Sequence, residues 1–254
     1  MKSDKYQDQV CLLDNNVHYR ISDVFYMKGT LSKENNINDA ISHVLSRPQE
    51  YSETLLFKYL KNKNKDSDLE AFGACVKDIL SSKNVPYPSN NELTVHMRLG
   101  DIMSDHNNVD IEKSKAIEPQ IARWVGYNNR RKNINFRYYN KFYERHDIPK
   151  KIDTVNVVTA LHFGGHEKSG LCTYDEDAIK NSFKVLNSFE KQTISSGLKF
   201  KITSNKDPDI DFCLLCLSKN FVLSRSGLSE LADLVRESLF PKDQLFTIGI
   251  NHNA

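Results

Sequence analysis

The chain has no long apolar run, no excess of one charge and few cysteines, and each shortage removes a class of function. No stretch approaches the ~18 consecutive apolar residues of a membrane-spanning helix. The opening MKSDKYQDQVCLLDNNVHYR carries no apolar signal core, so the expectation is a cytoplasmic protein with no transmembrane segment. Lysine plus arginine number 35 and aspartate plus glutamate 33, a formal net charge of +2. That balance is not the strong basic excess of a general nucleic-acid binder, and it leaves room only for a local positive pocket. The cysteines are Cys11, Cys75, Cys172, Cys213 and Cys216. Their number is odd and the chain is too long to need stapling, so reduced thiols are expected. There is no GxGxxG and no Walker A string, which withdraws support from a dinucleotide fold and from an NTPase. No internal repeat is visible.

What is there is 254 residues, enough for one large or two small domains with a real core. Residues 1–90 read as mostly helical. Ile41, Val44 and Leu45, then Leu55, Leu56, Tyr59 and Leu60, are spaced for helices on either side of Pro48, and LEAFGACVKDILSS repeats the pattern. VPYPSNNE, rich in Pro and Asn, reads as a break. A boundary is expected there, with an acceptor-side domain at 1–90 and a second domain at 91–254. The second stretch alternates. LTVHMRL and DTVNVVTALHF (Asp153–Phe163) read as strands, followed by a helix with early acids and Gly197 at its end. Then come strand LKFKITSN, helix DPDIDFCLLCLSKN, strand FVLS, helix LSELADLVRESLF and strand QLFTIGI. Such alternation predicts an α/β fold, a parallel sheet wrapped by helices, beside a smaller mostly helical or α/β N-terminal half.

Two turns stand out. FVLSRSGLSELADLV turns from strand to helix through Ser224, Arg225, Ser226 and Gly227. Free amides at a helix start favour an anion, and small residues let it approach; a plain serine N-cap is the simpler reading. HMRLGD (His96–Asp101) follows another strand. Arg98 offers a fork of donors suited to a diphosphate, Gly100 permits a tight turn, and Asp101 could orient Arg98 or His96; a structural Arg–Asp pair is the simpler reading. Ligands of open parallel sheets bind at the carboxyl ends of the strands. Two anion-prone turns on one rim point to a nucleotide diphosphate.

HMRLGD resembles the HxRxGD motif of the fucosyltransferase superfamily, the α1,2-, α1,6- and protein O-fucosyltransferases. FRYYNKFYE (Phe136–Glu144) resembles a YYxxA segment of the α1,2 branch, and DIDFCLLCLSKNFVLSRSGLSELA resembles the superfamily's final motif. The resemblance covers residues 91–240 and implies a GT-B glycosyltransferase with two Rossmann-like halves. It implies metal-independent, inverting transfer of a sugar, L-fucose from GDP-fucose first, to a glycan or other hydroxyl acceptor, with no cofactor beyond the donor. By the same resemblance His96 and Arg98 hold the diphosphate, Asp211 receives the guanine edge, and Ser226 with Gly227 forms the phosphate turn. Asp105 or His106, or Asp101 beside them, is the base, and Tyr138 and Tyr139 meet the acceptor. Leu99 stands where one form of the motif has a second basic residue, and the final turn lacks the family's aromatics, so another nucleotide sugar stays open.

Three rival readings carry other chemistry. A protein with the same motifs could bind nucleotide sugar or glycan without turnover. Arg130, Arg131 and Lys132 with nearby tyrosines could bind RNA by charge and stacking. Cys213, Cys216, His162, His166 and Cys172 could hold zinc, but CLLC lies among leucines, so both of its thiols are expected in the core and no metal site is expected.

Overall fold

A computed structural model describes residues 10–12, 69–103, 138–159, 161–163, 176–203, 208–224 and 226–249. The helices expected over 41–60 lie outside them. In chain order the elements are β1 (Val10–Leu12), α1 (Leu69–Ser82), β2 (Glu92–His96), a 3-10 turn (Gly100–Met103), α2 (Phe142–Arg145), β3 (Thr154–Val158) and β4 (Leu161–Phe163). There follow α3 (Glu176–Ser195), β5 (Lys199–Thr203), α4 (Pro208–Cys216), β6 (Asn220–Leu223), α5 (Gly227–Leu239), a second 3-10 turn (Lys242–Gln244) and β7 (Phe246–Gly249).

Five strands form one parallel sheet in the order β5-β3-β2-β6-β7. In chain order that is third, second, first, fourth, fifth. The order reverses between β2 and β6, and such a reversal opens a crevice at the carboxyl ends of the two strands. The expectation of a parallel sheet wrapped by helices is met.

Both faces of the sheet are covered, so the polar residues that alternate with apolar ones along β2 and β3, Glu92, Thr94, His96 and Asn156, are buried as well. Leu93, Val95, Val155, Val157 and Val222 face Phe142 of α2 and Ile179, Phe183, Leu186 and Phe189 of α3. Val158 and Phe221 face the other way, against Val76, Ile79 and Leu80 of α1, Phe212 and Leu215 of α4, and Ala232 and Val235 of α5. Each such side chain contributes about 1.5–3 kcal/mol by leaving water. Helix α1 packs on α4 and α5. The Pro/Asn break, where a boundary is expected, is a loop, and helix 69–82, which precedes it, is thus a layer of the α/β unit. Close approach there uses Gly73, where an added Cβ would fall 2.2 Å from Leu239 Cδ2.

Residues 153–163, expected as one strand, divide in two. Thr159 ends β3 by donating its hydroxyl to the Met97 carbonyl at 2.8 Å, and Leu161–Phe163 pairs in parallel with Val10–Leu12 in a separate two-stranded sheet. Helix α3 begins with Glu176 and Asp177, as the helix dipole favours. It closes at Gly197, whose φ is +79°, with Leu198 N donating to Thr193 O at 3.2 Å.

Two polar devices sit in the packing. Glu92, 5% exposed, accepts from Asn156 Nδ2 at 2.8 Å and pairs with Lys201 at 2.8 Å, while Thr203 donates to Asn156 Oδ1 at 2.9 Å. That chain ties β2, β3 and β5 in register. Arg236 of α5 is wholly buried. It donates to the carbonyls of Ser218, Lys219 and Phe246, reaches Thr247, pairs with Asp233 and lies over the Phe221 ring. Those groups lie at the amino ends of β6 and β7, so Arg236 anchors the rim opposite the crevice.

Candidate functional site

His96 is the last residue of β2, and Ser224 follows the last residue of β6. These two strands flank the reversal. The alternation that sends Leu93 and Val95 to one face sends His96 to the face carrying α5. There His96 Nδ1 lies 2.5 Å from Ser229 Oγ, 2.9 Å from Ser224 Oγ and 3.5 Å from Ser226 Oγ. All four residues are at most 9% exposed. The two turns singled out in the sequence, about 130 residues apart, therefore meet through side chains.

The serine turn is built as a cap. Ser226, at φ −138° and ψ 146°, caps α5 and accepts the Ser229 N–H at 3.2 Å. Glu230 N donates to the Ser226 carbonyl at 3.1 Å. Ser224 N donates to Ser229 Oγ at 3.0 Å. The simple N-cap reading is thus correct as far as Ser226 Oγ is concerned. The amides of Gly227 and Leu228 open α5, where its dipole favours an anion.

The HMRLGD turn is held by its backbone. Tyr139 donates its hydroxyl to the His96 carbonyl at 3.2 Å, and Thr159 to the Met97 carbonyl. Met97 N continues the ladder onto Val158 O at 3.1 Å. Gly100, at φ +78°, donates its N–H to Ser182 Oγ at 3.1 Å. Asn181 donates to the Met103 carbonyl at 3.0 Å. Met97 and Leu99 are fully buried on either side of a partly exposed Arg98. Side chains from three elements thus fix the main chain around Arg98, which is what an anion-binding arginine needs, because a preorganised donor loses less on binding. The apolar Leu99 also has a reason: it sits in the core, where a second basic residue would be a buried charge.

No family model, curated protein or solved structure matches the chain.

Of the other expected residues, Asp211 lies in the first turn of α4 and is 4% exposed, beside Asp209 at 3%. Helix α4 starts beyond the carboxyl end of β5, so Asp211 belongs to the same rim as the serine turn. Among the described residues no three His, Cys, Asp or Glu side chains form a metal-sized group. Asp101 lies in the 3-10 turn after Gly100. Asp105, His106 and Arg225 lie outside the described residues, as do Arg130, Arg131, Lys132, His166 and Cys172.

Tyr138 and Tyr139 need correction as acceptor contacts. They are 2% and 0% exposed. Their rings pack edge-on against each other and against Phe142 and Phe189, which leaves no face for a sugar. Burial pushes both hydroxyls well above the ordinary tyrosine range, so they are neutral; Tyr139 acts as a donor that holds the motif. Cys213 and Cys216 are 1% and 0% exposed in the core beneath α4, as expected from CLLC. Sequence reasoning missed Ser229, Ser182, Asn181 and Thr159. Only Ser229 left a signal: it stands three residues after the capping serine, where a cap's amide partner falls.

Proposed function

We propose that this chain is a glycosyltransferase that binds a nucleoside-diphosphate sugar in the crevice between β2 and β6. One observation carries the reading: His96 and the serine turn meet at the reversal of strand order, with Arg98 on one side and the start of α5 on the other. The leaving diphosphate accumulates charge as the glycosidic bond breaks. Arg98 and the amides of Gly227 and Leu228 meet that charge without rearranging, and donors of this kind are worth about 2.7–4 kcal/mol each in a transition state. GDP-fucose is the first donor, on the resemblance of HMRLGD to HxRxGD, with Asp211 as acceptor for the base's N–H edge. A different nucleotide sugar is the alternative. The acceptor is a glycan or another hydroxyl, in keeping with a cytosolic protein, and Asp101, Asp105 or His106 takes its proton. No described helix is long and apolar enough to cross a membrane.

The test is release of GDP from GDP-fucose, with and without a panel of glycan acceptors. Acceptor-dependent release supports transfer. Binding of GDP-fucose with no release under any condition would make the chain a nucleotide-sugar-binding protein, and no binding would end the reading.

A further inference from the structure

Helix α3 holds the HMRLGD turn from its first half, through Ser182 to Gly100 and Asn181 to Met103. Its last two turns hold a second piece of chain. Residues 138–146 leave the helical course at Lys141, with φ −128° and ψ 24°, and α2 starts there without a side-chain cap. Side chains of α3 take up the polar groups around that break. Gln192 Nε2 donates to the Tyr139 carbonyl at 3.0 Å and to the Ser188 carbonyl at 3.2 Å. Ser188 Oγ donates to Asn140 Oδ1 at 2.8 Å, and the Tyr143 and Thr193 hydroxyls meet at 2.8 Å. Ser188, Gln192 and Thr193 follow Asn181 and Ser182 along one side of the helix, because seven and eleven residues make about two and three turns.

Tyr139 joins the two holds. Gln192 grips its carbonyl, its ring packs edge-on against Phe189, and its hydroxyl donates to the His96 carbonyl at 3.2 Å. That last bond is longer than the usual O–H···O range of about 2.5–3.0 Å, so a small displacement of the Tyr139 backbone breaks it. We infer that Gln192 is a positioning residue for the HMRLGD turn: through Tyr139 it fixes the exit of β2, two residues before Arg98. The turn is then held on both sides of Arg98, by Gln192 and Tyr139 before it and by Ser182 and Asn181 after it, so the guanidinium starts from a main chain already in place. The effect on nucleotide affinity rests on the nucleoside-diphosphate reading; the hold on the turn does not.

Amide hydrogen exchange, followed by mass spectrometry, reads the hold on residues 97–100 directly. Gln192→Leu removes the donor. Gln192→Glu keeps the size and sets an oxygen against the Tyr139 carbonyl. Tyr139→Phe keeps the ring and removes the hydroxyl. Each is expected to speed exchange at residues 97–100 about three- to tenfold, which is what one net hydrogen bond supports, while residues 246–249 in β7 keep the wild-type rate. The double variant Gln192→Leu with Tyr139→Phe is expected to exchange no faster than Tyr139→Phe alone, because both changes act through one bond. Unchanged exchange at residues 97–100 in the Gln192 variants, multiplied effects in the double variant, or equal acceleration in β7 would overturn the inference. Should Gln192→Leu fail to fold, Gln192→Glu takes its place in the double variant. Titration with GDP separates the two readings. Binding weaker by about the same factor, with no further loss in the double variant, is expected. A wild type that binds no GDP would sink the nucleotide reading and leave exchange to decide the positioning. Unchanged GDP affinity in a variant whose turn exchanges faster would overturn the step from the turn to the nucleotide.

Discussion

Replacing Ser182 with alanine removes one oxygen from the middle of α3, and its consequence falls on the HMRLGD turn. Ser182 is fully buried. Its Oγ accepts the Gly100 N–H at 3.1 Å and donates to Ala178 O at 2.7 Å. The Ala178 carbonyl sits within α3 and loses a secondary partner. The buried Gly100 amide loses its acceptor, which costs about 1–3 kcal/mol. Alanine is the better helix former by up to ~0.5 kcal/mol, so the net loss is about 0.5–2.5 kcal/mol. A chain of this size loses roughly 2–4 °C in Tm per kcal/mol, so Ser182→Ala should melt several degrees below wild type by calorimetry. Ser195→Ala, at the exposed last residue of the same helix, changes propensity alone and should leave Tm within a degree or so. An equal or higher Tm for Ser182→Ala than for Ser195→Ala would refute the claim that α3 holds the turn. Weaker binding of GDP-fucose should accompany the loss, because Gly100 at φ +78° sets the exit of the chain from Arg98.

Four further outcomes are expected. Arg98→Ala should reduce donor turnover about 10²–10³-fold with Tm nearly unchanged, since Arg98 is partly exposed and the neighbouring Met97 and Leu99 hold the core; a large fall in Tm would make Arg98 structural. Gly197→Ala should cost about 1–2 kcal/mol by denaturant titration, because φ is +79° although nothing lies within 4 Å of the new Cβ, and donor binding should not change. Burial first, and the neighbouring Arg145 second, hold His146 below its ordinary value of 6.5. The unfolded chain therefore binds the proton first, so stability present above pH 6.5 should decline as pH falls from 6.5 towards 5, and His146→Gln should flatten that part of the pH profile of Tm. Burial also pushes the Cys216 thiol well above its usual range, so Cys213 and Cys216 should resist alkylation until the protein unfolds, as peptide mass mapping would show.

The sheet and its helices were legible because each is long or periodic enough to speak locally. LEAFGACVKDILSS matches α1 residue for residue, and early acids with a late glycine bracket α3 because dipole and cap act within a turn. What composition could not convey was direction. Tyr138, Tyr139 and Phe142 lie in a basic, aromatic stretch that suggests a binding surface, yet three-dimensional packing against Phe189 puts them inside. The division of Asp153–Phe163 depends on which strand each half pairs with, and β1 lies some 150 residues earlier. In the site, each turn was readable from its own residues. Their union through His96 and Ser229 was not, because a serine inside an amphipathic helix looks like any other until a partner 133 residues away reaches it. Leu99 shows the same limit from the other side: a departure from the resembling motif that reads as a lost charge is, in the fold, a core position.

The central claim is that the crevice between β2 and β6 takes a nucleoside diphosphate, and binding is its most direct measurement. Thermal unfolding would be followed with GDP, UDP, dTDP, CMP and ADP, each with EDTA present. A ligand bound only by the native state at a hundredfold excess over Kd stabilises by about 2.7 kcal/mol. The account predicts a rise in Tm with GDP that survives EDTA and disappears in Arg98→Ala. No rise with any of the five nucleotides, or an equal rise in Arg98→Ala, would contradict it.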